Sequence, residues 1–482
     1  MNGHVLRGEL TGPRAHTDPD IEVFETELPG LWNWPSSLSS GRPARTNTLT
    51  MSQPELKVLS KRQISAIRAR EVLDCRGLPT VQVDVVVDDT FLGRADVPAG
   101  RSRGRHEPVE LRDGGRRFGG YGVRQAVSNV RDVLAPALVG FSVVPQRQLD
   151  LRLVELDGTA DRSRLGANAL LGVSLAAARA AAAAAGQPLY RYLNADAHVL
   201  PVPQVNLING GKHASNDLDI QEIIVMPVGA ATFADAMAMA TEVNLVLAEI
   251  LAGRYGKAAV NTGDEGGYAP PISEPAEALE QLHLAVARAG YENQVVYGLD
   301  CAATHFYDPD QGMYVLAGKP RTQGEMLALY EGFARDWGVT SFEDPFHEDD
   351  YAAFAELTSR LDVQVVGDDL LVTNRERVER AQQLGAANAL LLKVNQAGTL
   401  SDALAAARQA TSGGWGIVVS ERSGETEDPL IADLVVGLNA GQIKTGAPVR
   451  GERTAKYNRL LQIEEELGPA AVYAGRSYRH PH

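Results

Sequence analysis

Val295-Val296-Tyr297-Gly298-Leu299-Asp300 is a short apolar run that stops on a carboxylate. A run this brief, bounded by polar residues, reads as a buried strand. The pattern returns along the chain. Val339-Thr340-Ser341-Phe342 ends on Glu343, Val363-Gln364-Val365-Val366-Gly367 on Asp368, and Ala389-Leu390-Leu391-Leu392 on Lys393. Ile417-Val418-Val419-Ser420 then meets Glu421 and Arg422, and Gln442-Ile443 meets Lys444. Successive charged ends lie 43, 25, 25, 28 and 23 residues apart, about one strand, one helix and two loops. Repeated strand–helix units imply a parallel sheet, and six in a row favour a closed α/β barrel. In such barrels the C-terminal strand ends carry the chemistry, and here each bears an ionisable group.

Upstream the rhythm differs. Thr80-Val81-Gln82-Val83-Asp84-Val85 alternates apolar and polar residues as a half-buried antiparallel strand should. Gly122 to Val139 has helical spacing, and Leu165 to Ala185 is a long helix of strong formers. Residues 61–195 therefore read as an α+β domain, strands first and helices after, capping a barrel over 196–482. Residues 1–60 include Trp32, Trp34, Pro35 and a Ser/Gly run without any period, and read as a disordered extension with no signal peptide.

The 482 residues carry 46 Lys+Arg against 61 Asp+Glu, a formal charge of −15. A chain of this size can bury a large core without disulfides. Its two cysteines, Cys75 and Cys301, form no framework and fit a reducing compartment. The acidic balance argues against nucleic acid or an anionic membrane as partner. The most apolar stretch, Val173 to Gly186, is shorter than the ~20 residues a bilayer requires.

One Asp or Glu after a strand is more often a helix cap or a surface ion pair than a ligand. Three at successive strand ends (Asp300, Glu343, Asp368) should converge, and they repel unless a cation lies among them. All-oxygen ligation suits Mg²⁺, and no His/Cys cluster suggests zinc. Lys393 and Lys444 flank Arg422 and Ser423. A lysine beside a divalent ion and another cation has its ammonium form disfavoured and can act as a base. Metal, base and anion-binding groups together describe proton abstraction next to a carboxylate. Two further motifs are Asn209-Gly210-Gly211-Lys212-His213, ahead of Asp219-Ile220-Gln221-Glu222, and Asn261-Thr262-Gly263-Asp264-Glu265-Gly266-Gly267. Opposite Lys393, Glu265 with Glu222 could protonate a leaving hydroxyl, although the glycine-rich turn alone also fits an ordinary loop or a calcium-like site.

From Ile64 to about Gly475 these motifs resemble the enolase family. The resemblance rests on Ala69-Arg70-Glu71-Val72-Leu73-Asp74 with Arg76-Gly77, Leu165-Gly166-Ala167-Asn168-Ala169, Gly263-Asp264-Glu265-Gly266-Gly267 and Gly298-Leu299-Asp300-Cys301-Ala302. It continues through Glu343-Asp344-Pro345-Phe346, Leu391-Leu392-Lys393-Val394-Asn395-Gln396, Ser423-Gly424-Glu425-Thr426-Glu427-Asp428 and Gly441-Gln442-Ile443-Lys444-Thr445-Gly446. A lysine base working with Mg²⁺ is the established pattern of that superfamily. The resemblance implies an α+β domain before a (β/α)8 barrel with an irregular first half, two Mg²⁺ per site, and a cytoplasmic homodimer or larger homo-oligomer. It implies Asp300, Glu343 and Asp368 as ligands of the first ion and Ser102 as a ligand of the second. Lys393 would be the base and Glu265 the acid, with Glu222 assisting. His213, Gln221, Lys444, Arg422 and Ser423 would bind substrate, a small anionic phosphorylated three-carbon acid.

Two departures touch that site. The family's closing loop, Ser-Gly-Ala-Ser-Thr-Gly, is here Ala99-Gly100-Arg101-Ser102-Arg103-Gly104, and the family's His-Arg-Ser is here Glu421-Arg422-Ser423. The added guanidiniums of Arg101 and Arg103 suggest a carboxylated, phosphonylated substrate and a specialised, carboxyphosphonoenolpyruvate synthase-like enzyme. In the alternative, Arg101 or Arg103 pairs with Glu421 and the chain is an ordinary enolase interconverting 2-phosphoglycerate and phosphoenolpyruvate. A non-catalytic structural or binding relative is the third reading.

Overall fold

The computed structural model describes residues 62–101 and 104–481. The extension expected over residues 1–60 lies outside them, as do Ser102 and Arg103. The first unit is an antiparallel meander of β1 (Ile64–Leu73), β2 (Pro79–Val87) and β3 (Phe91–Asp96). Its inner face, with Val81, Val83, Val85 and Ala95, is closed by the helix Ala167–Ala184. The two approach so closely that a Cβ on Gly93 would lie 2.0 Å from the Ala176 carbonyl oxygen, so only glycine fits there. The helical spacing of Gly122 to Val139 resolves into the short helices Arg124–Asn129 and Ala135–Leu138 around a π turn, Val130–Leu134. Pro136, with no N–H to donate, lies in the last of them.

The short pair partner β4 (Val199–Leu200) leads into β5 (Val202–Asn209), β6 (Glu222–Met226) and β7 (Val296–Asp300). A small antiparallel meander, β8 (Tyr307–Asp308), β9 (Met313–Leu316) and β10 (Lys319–Arg321), is inserted next. Then come β11 (Val339–Glu343), β12 (Gln364–Gly367), β13 (Ala389–Leu392), β14 (Gly416–Ser420) and β15 (Gln442–Lys444), and a last strand, β16 (Val472–Tyr473), pairs with β4. The barrel closes in the order β11-β12-β13-β14-β15-β5-β6-β7. The parallel sheet expected from the strand–helix units holds from β11 to β15, and the irregularity lies in the first half. β6 runs antiparallel to both neighbours, and residues 210–221, with one 3-10 turn (Gly211–His213) and no α-helix, return the chain from β5. The irregular first half is this inversion.

The barrel interior is layered. Gln442 bonds to Gln204 and Gln364 at 2.8–2.9 Å, and Gln364 also donates to Ser341 at 3.0 Å, so these buried amides find partners in one another. Val366, Ala389, Leu391 and Val418 form an apolar layer of their own. The ionisable groups crowd the C-terminal mouth.

Two helices are long and apolar enough to cross a membrane, Ala167–Ala184 and Phe233–Tyr255. The first owes its composition to burial against the sheet. The second hides one stripe (Phe233, Met237, Ala240, Leu247, Leu251) at helical spacing, as a helix lying on a barrel does.

Candidate active site

Strand register builds the site. Glu222 pairs with Asp300 and Asp300 with Glu343 across β6, β7 and β11, so three carboxylates stand side by side at one level of the mouth. Like charges directly opposite one another are destabilising unless compensated. Lys444, at the end of β15, reaches into this row. Its Nζ lies 2.9 Å from Asp300 Oδ2, 2.8 and 2.9 Å from the Glu343 oxygens, and 3.2 Å from Glu222 Oε1. Burial works to raise Asp300, but Lys444 outweighs it and holds that carboxyl below its ordinary value. Glu343 goes the other way: burial, reinforced by the Asp300 charge, raises it well above.

Asp300, Glu343 and Asp368 stand at the ends of three neighbouring strands and divide between two lysines. Asp300 and Glu343 close on Lys444, whereas Asp368, one residue beyond β12, turns toward Lys393. Its Oδ2 lies 2.5 Å from Lys393 Nζ and its Oδ1 accepts a 2.9 Å bond from Gln396. Lys393, beside β12, takes Asp368, whereas Lys444 reaches across the mouth from β15 to Asp300 and Glu343. Asp368 also governs the charge on Lys393. Burial works against the charge, yet Asp368 more than offsets it and the pKa is raised. Among the described residues two groups hold ligand atoms within 4.8 Å of one another, Asp344 with Asp368 and Asp369, and His213 with Glu222 and Glu265. The donor set still fits a hard divalent cation. Asp300, Glu343 and Asp368 offer carboxylate oxygens from adjacent strands, and the buried Gln221 Oε1 and Glu222 Oε2 beside them have no hydrogen-bond partner among the described residues. Gln221 is fixed by its Nε2, which donates to Asp300 at 3.0 Å.

On the other flank, His213 Nδ1 lies 3.3 Å from Glu265 Oε1 and 3.8 Å from Glu222 Oε1. Asn206 donates to the second oxygen of Glu265 at 3.2 Å. Burial opposes the charge on both glutamates. His213, aided by Arg453, nonetheless holds Glu265 well below its ordinary value, while the adjacent Glu265 charge adds to burial in raising Glu222. The two neighbouring carboxyls are thus pushed in opposite directions. Lys212 beside His213 is exposed and lines a neighbouring cavity of about 500 Å³ with Asn216, Asp219 and His305.

Arg422 and Ser423 follow β14. The Arg422 guanidinium lies 3.0 Å from Glu107 Oε2 in a fully buried ion pair. Ser423 Oγ accepts the Arg101 N–H at 2.8 Å, and Ala99 and Gly424 exchange two backbone bonds of 2.9 Å. Gly424 is required there, since a Cβ would come 2.1 Å from Arg76 and 2.4 Å from the Ala99 carbonyl oxygen. Arg101 and Glu421 do not pair with each other. Arg101 Nη1 lies 2.6 Å from Asp264 Oδ2 at the rim. Glu421 is buried against the guanidinium of Arg453, which the sequence reading overlooked, and Thr445 Oγ1 donates to the same oxygen at 3.3 Å.

A row of acids between two lysines at a barrel mouth, behind an antiparallel meander, is a combination that can be set against known proteins. The description "Enolase, N-terminal domain" matches residues 64–193, and "Enolase, C-terminal TIM barrel domain" matches residues 197–482. The protein named Enolase from Methanocaldococcus jannaschii is 54% identical over 420 residues, 87% of this chain and 99% of that protein. The chain belongs to the enolase family. The Enolase of Thermococcus gammatolerans is 53% identical over 424 residues (87% of this chain, 98% of that protein). That of Acidothermus cellulolyticus is 52% identical over 417 residues (86% and 96%). The chain is thus an enolase-type lyase, with the family's two-part architecture.

Arg453 had a signal in the sequence. The helix Gly451–Leu467 buries Arg453, Lys456, Tyr457, Leu460, Ile463 and Leu467, one stripe at helical spacing that begins with two cations. A charge on the core face of an amphipathic helix needs a buried partner. Glu107 and Gln396 gave no such signal.

Proposed function

We propose that the chain catalyses the reversible dehydration of 2-phosphoglycerate to phosphoenolpyruvate with Mg²⁺, the glycolytic reaction of ordinary enolases. The observation that carries this reading is the position of Lys444. It touches Glu222 on the acid flank, next to Glu265, and Asp300 and Glu343 on the flank that leads to Asp368 and Lys393. A substrate carboxylate over Lys444 would present its α-carbon toward Lys393 and its β-hydroxyl toward the glutamates.

In this reading Lys393 takes the C2 proton. The electron pair moves into the carboxylate, where Lys444 offsets the growing charge. A proton carried by the Glu222–Glu265 pair goes to the departing hydroxyl, and water leaves. Arg422 and Ser423 receive the phosphoryl group, with Arg422 exchanging Glu107 for phosphate oxygens. A divalent ion held by Asp300, Glu343 and Asp368 would stabilise the carboxylate oxygens and take the Asp368 charge off Lys393.

The specialised phosphonate reading loses its support. It needs guanidiniums directed at an extra substrate carboxylate, and Arg101 already serves Asp264. The relatives at 52–54% identity are named Enolase. We also propose a cytoplasmic homo-oligomer, testable by sedimentation. The deciding assay offers purified chain 2-phosphoglycerate with Mg²⁺ and follows enolpyruvate absorbance. Turnover supports the reading. Silence, with turnover of a carboxylated phosphonate analogue, sinks it.

A further inference from the structure

The two departures from the family pattern, Arg101 and Glu421, come from opposite ends of the chain and meet at one place. Arg101 grips the Asp264 carboxylate from the rim at 2.6 Å. Glu421 acts from inside the barrel wall. It is 2% exposed and pairs with Arg453, itself fully buried. Arg453 Nη1 donates to the Arg422 carbonyl at 3.0 Å, and its Nη2 to the Ser423 carbonyl at 2.8 Å and the Asp264 carbonyl at 3.3 Å. Asp264 is therefore held twice, by its side chain and by its carbonyl. It immediately precedes Glu265. The backbone of the turn closes the circuit: the Asp264 N–H donates to His213 at 2.8 Å, and the Glu265 carbonyl accepts from Ala447 at 2.9 Å. Arg101 joins the two holds, because its own N–H donates to Ser423 Oγ.

We propose that Arg101 and Glu421 act together as positioning residues for the Asp264–Glu265 turn, Arg101 through the Asp264 carboxylate and Glu421 through Arg453. Neither hold requires contact with substrate. Burial of a guanidinium needs a counter-charge, and Glu421 supplies it where the family's histidine has no fixed negative charge. The turn keeps its place only with both holds engaged, so loss of either shifts the acid from its working position. A shift of about 1 Å at a reacting group can lower turnover by about a hundredfold. This inference rests on the reading of Glu265 as part of the proton-delivering pair.

The test is a double-mutant cycle of R101A, E421Q and the double variant, read in two ways. Hydrogen–deuterium exchange over residues 261–268 reports the turn without substrate. The expected result is exchange raised in R101A, in E421Q and to the same extent in the double variant. Turnover should fall about tenfold or more in each single variant at little changed KM, and no further in the double, because both lose the same placement. The acid limb of the pH–rate profile should move in all three. Exchange that R101A leaves unchanged, or turnover losses that multiply in the double variant, would overturn the proposal. If E421Q does not fold, E421D, which keeps the charge but shortens the reach, takes its place with the same two outcomes. The exchange result stands even if 2-phosphoglycerate is not the substrate, so failure of the functional reading is separable from failure of this one.

Discussion

The Lys444 ammonium lies within 2.9 Å of both oxygens of Glu343, with Asp300 and Glu222 also in reach. Removing one partner of a buried ionic cluster leaves uncompensated charge, which typically costs about 3–5 kcal/mol. Lys444→Met should therefore lose turnover and melt well below the parent. Mg²⁺ should recover more of the melting temperature in this variant than in the parent, since the ion competes with Lys444 for the same oxygens. Calorimetry with and without Mg²⁺ checks this, and an equal gain in both proteins would contradict it.

Glu107 covers the Arg422 guanidinium. In Glu107→Gln the counter-charge is gone, so inorganic phosphate should inhibit more strongly while the melting temperature falls. Inhibition constants for phosphate in parent and variant give the answer, and unchanged inhibition would mean that phosphate does not replace Glu107.

Glu222 and Glu265 should respond differently to the same substitution. Glu222 has a folded pKa raised above its ordinary 4.5, so its contribution to stability is present at low pH and is lost as pH rises through the raised value. Glu265 has a depressed one, so its contribution is present above 4.5 and is lost as pH falls through the depressed value. At pH 7 Glu222→Gln, which mimics the protonated form, should keep most of the melting temperature, and Glu265→Gln should lose more. Both should lower kcat by about a hundredfold or more.

In the meander, Asp84 on β2 is clasped by Arg94 at 2.6 Å and Arg70 at 2.5 Å from the flanking strands. Burial would raise its carboxyl, but the two guanidiniums hold it down at about 2, against an ordinary 3.8. That stability is present above pH 3.8 and disappears as pH falls toward 2. Asp84→Asn should cost about 2 kcal/mol at neutral pH and nothing near pH 2, as denaturant titrations at both values would reveal.

Much of this was readable in the residues. The barrel announced itself because each strand interior must be apolar and each strand end reaches solvent and substrate, so the apolar runs stop on charges. The antiparallel β6 was not readable from period, since Glu222–Met226 is buried throughout and a buried strand looks alike in either direction. The acids and lysines were found, but not how they share charge. Which carboxylate a lysine chooses depends on register and on reach across the barrel mouth, and the spacing of residues along the chain contains neither. Arg101 and Glu421 stood out as departures, but their partners, Asp264 and Arg453, lie 163 and 32 residues away and are brought near only by the closed barrel.

The assignment of Lys393 as base and Glu265 as part of the acid is tested most directly by incubating parent, Lys393→Ala and Glu265→Gln with 2-phosphoglycerate and Mg²⁺ in D₂O. Phosphoenolpyruvate and deuterium at C2 are followed together. The parent should form phosphoenolpyruvate, Glu265→Gln should exchange the C2 proton with little elimination, and Lys393→Ala should do neither. C2 exchange at the parent rate in Lys393→Ala, or no phosphoenolpyruvate from the parent, would contradict the account.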